Sequence, residues 1–325
     1  MAHCLNCLYE YNGIGNTCPY CGYSRGLPPA ACHHIWPGAV LHGRYEIGTV
    51  IGSGGFGITY HAWDLYQNMP VAIKEYYPQG MANRAINSMA IRTCEVGKMS
   101  SYSKGIERFL EEGRSLMKFN HVPSIVRVYD FFEENNTAYI IMELLRGENL
   151  SDYMIRTGNV ASLDMAMNIL FSVIESLEEI HKIGMIHRDI SPDNIFICSD
   201  MTVKLIDFGA ARNQPDENAS VSIVIKPNYA PPEQFNRTGR QGPWSDIYAL
   251  GATIYRILTG CIPPESVSRV LEDDIKPVSS VNAFVSMELD SVIMKCMALR
   301  IEDRYQDVAS LRNDILDATT RAINS

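Results

Sequence analysis

The chain reads as an α+β protein. Short strand-like runs crowd residues 44–143, helical periodicity dominates after Gly147, and two Cys-x-x-Cys pairs stand ahead of both regions. Runs of strands followed by runs of helices predict segregated rather than alternating elements. With 325 residues, 46% hydrophobic and 20% charged, the chain is large enough to bury a core in more than one lobe.

The first element is the cysteine segment, residues 1–24. Cys4-x-x-Cys7 and Cys18-Pro19-Tyr20-Cys21-Gly22 are separated by ten residues, which is zinc-ribbon spacing. Each Cys-x-x-Cys turn lets two sulfurs face one ion, and Gly22 lets backbone amides approach the second pair. Cys4, Cys7, Cys18 and Cys21 would close a tetrahedral, structural Zn²⁺ site that folds a segment too short for its own core. Free thiols or a redox pair are the competing account, and two such units in one short polar segment argue against it. Residues 25–40, with Leu27-Pro28-Pro29-Ala30-Ala31, read as a Pro-rich linker. Cys32-His33-His34 lies inside it as a rival ligand set that four sulfurs make superfluous. The nine cysteines are an odd number with no export signal, so thiols and a metal fit better than disulfides. Cys94, Cys198, Cys261 and Cys296 are scattered singly and are expected to be small buried hydrophobes.

Three strands are predicted at 44–48, 57–63 and 69–74. A helix follows over 106–119, where Ile106, Phe109, Leu110, Leu116 and Met117 keep near-helical spacing, and then strands at 125–132 and 137–143. Residues 81–105 look like an insertion before the helix, either a surface loop or an element that sets the helix position. Helices are predicted over 165–181, 245–258, 288–298 and 308–318. The net charge of −9, with Arg25 the first Lys or Arg in the chain, argues against nucleic-acid partners. No apolar run approaches bilayer length and position 2 is Ala rather than the Gly of a myristoylated terminus, so no membrane association and a cytoplasmic location are expected.

Four motifs carry chemistry. Gly52-Ser53-Gly54-Gly55-Phe56-Gly57 lies between two predicted strands, where residues without Cβ let amide groups close over phosphates; that strand–strand setting disfavours a dinucleotide fold. Val71-Ala72-Ile73-Lys74 follows, then His187-Arg188-Asp189-Ile190-Ser191-Pro192-Asp193-Asn194, then Asp207-Phe208-Gly209. In this order and spacing, residues 41–318 resemble the eukaryotic-like (Hanks-type) serine/threonine protein kinases, and the fused ribbon looks like an arrangement found among bacterial members.

The resemblance implies a bilobal protein-kinase fold: a five-stranded antiparallel N-lobe with its helix over 41–145, a mainly helical C-lobe over 146–318 and a tail at 319–325. It implies ATP with Mg²⁺, Mn²⁺ being an alternative. Ile51, Gly52, Ser53, Gly54, Gly55, Phe56, Gly57, Thr59, Ala72, Lys74, Met142 as gatekeeper, Glu143 to Leu145 as hinge, Phe196 and Asp207 would surround the nucleotide. Thr59 stands where the family usually has Val. Lys74 would contact the α and β phosphates, held by Glu112, with Glu111 the runner-up because one residue turns a side chain by about 100° around a helix. Asp189 would accept a hydrogen bond from the substrate hydroxyl, and Asn194 and Asp207 would hold magnesium. Leu116, Val128, His187 and Phe208 fall in the regulatory hydrophobic column. Glu233, in Tyr229-Ala230-Pro231-Pro232-Glu233, would pair with Arg304, and Asp246 would anchor the catalytic-loop backbone.

One departure stands out. The lysine usual two residues after the catalytic aspartate is Ser191, while Lys226 occupies a position where the family has a threonine. The two residue types look exchanged, so Lys226 would restore the positive charge at the γ-phosphate. Ser220 and Ser222 are candidate autophosphorylation sites, with Arg188 a receiver for the added phosphate. The leading function is an ATP- and Mg²⁺-dependent kinase acting on Ser/Thr hydroxyls of proteins, its ribbon recruiting a protein partner or regulating the lobe. The alternative is a pseudokinase scaffold that binds nucleotide and recruits partners through the ribbon. A small-molecule phosphotransferase is disfavoured by the peptide-binding pattern of Tyr229 to Glu233.

Overall fold

The computed structural model describes residues 2–12, 15–55, 57–86, 88–93, 99–208, 212–213, 225–236 and 239–324. Phe56, Cys94, Gly209, Ser220 and Ser222 lie outside the described residues. The chain divides into two compact units, Met1–Asn120 with Val126–Leu145, and His121–Ile125 with Arg146–Ser325.

In the first unit, β1 (Ala2–His3) and β2 (Glu10–Tyr11) form a small antiparallel pair. Strands β3 (Val40–Leu41), β4 (Tyr45–Ser53), β5 (Gly57–Asp64) and β6 (Met69–Tyr76) follow. After a hairpin of β7 (Ala82–Arg84) and β8 (Ile91–Thr93) come helix α1 (Met99–Met117), β9 (Val128–Glu134) and β10 (Thr137–Glu143). The antiparallel sheet runs β3-β4-β5-β6-β10-β9, so the short β3 adds an edge strand to the five expected. Its turn explains why: His42 (φ 52°) and Gly43 (φ 61°) are both left-handed and Arg44 N donates to Leu41 O at 2.9 Å, the geometry that matches the twist of a two-residue hairpin. Asn135 and Asn136 repeat that device between β9 and β10.

Helix α1 begins seven residues earlier than the 106–119 periodicity predicts. Its close approach to the sheet depends on Gly113, where a Cβ would stand 3.1–3.2 Å from Ile140 and Phe131 side-chain carbons. The described residues of 81–105 form the β7–β8 hairpin and the first turns of α1. The hairpin is tied to the β9–β10 turn, with Ile91 N donating to Asn135 O at 2.8 Å and Asn136 Nδ2 to Ile91 O at 3.2 Å. Within the Pro-rich stretch 25–40, residues 25–28 are exposed but its second half is anchored: Ile35 and His34 are buried, Ile35 N donates to Tyr60 Oη, and Gly38 N donates to Ile47 O at 2.7 Å.

The second unit contains β11 (Gly147–Asn149), α2 (Leu150–Thr157), α3 (Leu163–Lys182), β12 (Met185–Ile186), β13 (Ile195–Cys198), β14 (Val203–Leu205) and β15 (Arg212–Asn213). It continues with α4 (Pro243–Thr259), α5 (Ser266–Leu271), α6 (Val278–Val281), α7 (Met287–Cys296) and α8 (Val308–Asn324). Ser162 caps α3 by accepting from Met165 N, and α4 is buried along nearly its whole length, which makes it the centre of the helical core. The short helices α2, α5 and α6 span too few turns to show a period in sequence. Cys198 and Cys296 are buried as expected, but Cys261 is exposed, because it sits just past the left-handed Gly260 that ends α4. No helix among the described residues is long and apolar enough to cross a membrane.

Candidate active site

The first unit holds the glycine-rich turn and one ion pair. Added Cβ atoms at Gly52, Gly54 and Gly55 would meet nothing within 4 Å, so packing does not require glycine there, and Gly54 N donates to Gly57 O at 2.9 Å across the turn. Gly57 differs: a Cβ there would come within 2.7 Å of Glu75 O on the neighbouring strand. Ladder pairing sets Thr59 opposite Lys74 and Met142 opposite Ala72, which is buried. Ile51 is half exposed beside the turn; Glu143 accepts from Arg127 N through Oε1, which fixes the strand end that leads to Leu145. Lys74 Nζ lies 2.9 Å from Glu112 Oε1, and Glu112 is nearly buried, whereas Glu111 turns outward to pair with exposed Arg114.

The second unit holds the loop 187–194. Buried Asp246 accepts from His187 N at 2.8 Å, Arg188 N at 2.7 Å and His181 Nε2 at 2.8 Å. Its bond to Arg188 N steadies the left-handed conformation of that residue (φ 67°), which an L side chain rarely adopts. His187 is wholly buried, so desolvation lowers its pKa to about 4 and it stays neutral. Phe208 packs edge-on against its ring at 4.7 Å. Leu116 and Val128, assigned to the same hydrophobic column, are fully buried within the first unit.

Asn194 donates through Nδ2 to Asp189 Oδ2 at 2.7 Å and to the Asp189 carbonyl at 2.8 Å. Lys226 Nζ donates to Ser191 Oγ at 2.7 Å and lies 3.5 Å from Asp189 Oδ1 and 3.2 Å from Asp193 Oδ2. Burial pushes the Asp189 carboxyl up to about 6, opposed by the Lys226 charge and the Asn194 bond and reinforced by Asp207. Asp207 follows β14 by two residues, beside Ile206, whose N donates to Asn194 O. Phe196, half-buried in β13, pairs with Lys204. Below the loop, Arg304 makes a buried two-pronged contact with Glu233 at 2.8 and 3.1 Å, and Ser245 Oγ donates to the same carboxylate.

The four ribbon sulfurs lie within 4.8 Å of one another, with Cys4–Cys21 at 3.6 Å and Cys7–Cys18 at 3.7 Å. These are far from disulfide lengths. Thiolates at the tetrahedral Zn–S distance stand about 3.8 Å apart, so the donor set fits that metal. Both pairs share one turn: Leu8 N donates to Cys4 O as Gly22 N does to Cys18 O, and both residues are left-handed. Leu8 adopts that conformation without being glycine because its side chain is buried.

Sequence reasoning missed Asp193 and His181 at this site, and Asn6, Thr49, Glu75 and Arg84 in the first unit. Asp193 stands inside the 187–194 motif and His181 six residues ahead of it, but neither residue type carries a pattern that announces its partner. The others carry none, because their partners are distant in sequence.

The protein kinase domain family matches residues 45–314, and the chain belongs to that family. It is 33% identical over 290 residues to the serine/threonine-protein kinase PknB of Mycobacterium leprae, covering 85% of this chain and 43% of that protein. The probable serine/threonine-protein kinase PknB of Lactococcus lactis is 28% identical over 291 residues, with 87% of this chain and 43% of the relative covered. The chain thus spans less than half the length of these relatives. The solved structure "PpkA-294 apo form" superposes with a TM-score of 0.77 at 34% identity, covering 87% of this chain and 99% of that one.

Proposed function

We propose that this protein is an ATP- and Mg²⁺-dependent kinase that transfers the γ-phosphoryl group to Ser/Thr hydroxyls of proteins, autophosphorylation included. Residues 41–318 form the kinase domain, 1–24 a Zn²⁺ ribbon, 25–40 the connection and 319–325 the tail. The observation that carries the reading is the cluster of Asp189, Ser191 and Asn194 on the loop 187–194 with Lys226, from a distant segment, donating to Ser191. Metal-bound ATP supplies the phosphoryl group, and its cation offsets the charge that builds up on it. Asp189 orients the acceptor hydroxyl and takes its hydrogen bond. Asn194 spends its amide N–H groups on Asp189, which leaves its side-chain oxygen, with the Asp207 carboxylate, as hard ligands suited to magnesium. Lys226 provides at Ser191 the cation that the family usually places in the chain two residues after the aspartate. The missing lysine was the feature favouring a scaffold, and this neighbour answers it.

Lys74, held by Glu112, and the backbone of the glycine-rich turn serve the phosphates, with Thr59, Ala72, Met142, Glu143, Leu145 and Phe196 toward the base. Thiol-based zinc binding suits the reducing cytoplasm. Named serine/threonine kinases among the relatives support the hydroxyl specificity. The test is steady-state kinetics on a generic protein substrate: Asp189→Ala abolishes transfer and Lys226→Ala lowers kcat by on the order of 10²-fold or more. Turnover unchanged in Lys226→Ala, with Asp189→Ala inactive, would remove Lys226 from the reaction.

A further inference from the structure

The ribbon is seated on the strand that leads into the glycine-rich turn. Thr49 N donates to Leu5 O at 2.8 Å and Thr49 Oγ1 to Asn6 Oδ1 at 2.7 Å, while His3 stacks on Trp63 at 4.5 Å. Leu5 is buried in the contact. Gly48 permits the seating, since a Cβ there would stand 2.1 Å from Leu5 O. Any other residue would push the cysteine turn away.

The contact falls where the strand is weakest. The β4–β5 register shifts between Ile47 and Val50 and again between Val50 and Gly52, so Gly48 and Thr49 lie in a bulged stretch just ahead of the turn. Bulges interrupt the ladder and let a strand bend, so its direction there depends on bonds from outside the pair. Asn6 provides them and faces both ways. Its backbone N–H points at Cys4 Sγ at 3.4 Å and its Nδ2 at Cys21 Sγ at 3.6 Å, while its Oδ1 receives the Thr49 hydroxyl. A residue fixed by two of the four thiolates therefore fixes the bulge.

We propose that the ribbon is an internal brace for the nucleotide loop, with Asn6 and Thr49 as positioning residues through which the occupied thiolate site sets the affinity for adenine nucleotide. The inference rests on the zinc reading above and assigns the metal a regulatory effect on the same active site. An ordered cysteine turn holds β4 in one direction and so fixes the approach of the strand into the glycine-rich turn. A metal-free ribbon loses that turn, and the loop must then be ordered by the nucleotide itself, at a cost in affinity.

The test uses the full chain, with zinc measured by elemental analysis, and calorimetric titration with a non-hydrolysable ATP analogue and Mg²⁺. Wild type carries zinc. Thr49→Val and Asn6→Ala keep it but raise the nucleotide Kd and the KM for ATP by about three- to ten-fold, with kcat within about two-fold; the hydroxyl bond to Asn6 is common to both variants, while Thr49→Val also gives up the 3.2 Å contact with His61 Nδ1 on β5. Thr49→Ser, which retains the hydroxyl, stays near wild type, and chelation of wild type raises Kd as Thr49→Val does. Zinc-loaded Thr49→Val and Asn6→Ala with wild-type Kd would overturn the inference while leaving the metal reading intact, and so would a Thr49→Ser as weak as Thr49→Val. Wild type without zinc would overturn the metal reading and the inference together.

Discussion

Ser191 and Lys226 are 35 positions apart in the chain, yet the ammonium donates to the hydroxyl at 2.7 Å. The exchange is legible in sequence because both residues interrupt otherwise familiar motifs; the third partner, Asp193, is not, since an exposed loop carboxylate has no pattern. Lys226 also bears on acidity. In the proposed reaction Asp189 accepts the substrate's hydrogen bond as a carboxylate, and burial holds its carboxyl at about 6, so kcat/KM is expected to fall as pH drops through 6. The lysine charge holds that carboxyl down, so in Lys226→Ala the acid limb moves to higher pH; pH–rate profiles of the two proteins check the shift and its sign. At Lys74 the choice between two adjacent glutamates is a matter of helix phase. Glu112→Ala is expected to lower kcat/KM for ATP at least about ten-fold, while Glu111→Ala, whose carboxylate pairs at the surface, leaves it within about two-fold.

At the scale of elements, the strands and long helices follow their periodicity, and the hairpin 82–93 does not. Its anchor is Arg84, which donates to Glu75 on β6, to Met89 O at 3.0 Å and to His33 O at 2.6 Å. Tyr60 Oη closes the network by donating to Glu75 Oε2 at 2.9 Å. Both charges are essentially inaccessible to solvent. Nothing in the local pattern of 81–105 announces this, because two of the arginine's three partners lie outside it, on β6 and in the Pro-rich stretch. The network joins that stretch, the hairpin and the strand bearing Lys74. Arg84→Ala leaves a buried carboxylate without its cation and is expected to cost about 3–5 kcal/mol, read by chemical denaturation, whereas Arg84→Met with Glu75→Gln costs less. Equal losses in both variants would show that packing, rather than the unpaired charge, sets the cost.

For the whole molecule, the family and its catalytic motifs were legible because phosphoryl transfer demands particular residues at particular spacings. The seating of the ribbon was not, since it depends on a backbone carbonyl meeting a glycine in a distant strand. On the proposed zinc reading of Cys4, Cys7, Cys18 and Cys21, removal of the metal is expected to lower thermal stability as well as nucleotide affinity, and differential scanning fluorimetry with and without chelator checks it. The most direct measurement of the central claim is transfer of label from γ-labelled ATP, with Mg²⁺, to a generic protein substrate, followed by phosphoamino-acid analysis. The expected result is phosphoserine and phosphothreonine with wild type and neither with Asp189→Ala. Nucleotide binding without any label reaching protein, or label transferred equally by Asp189→Ala, would contradict it.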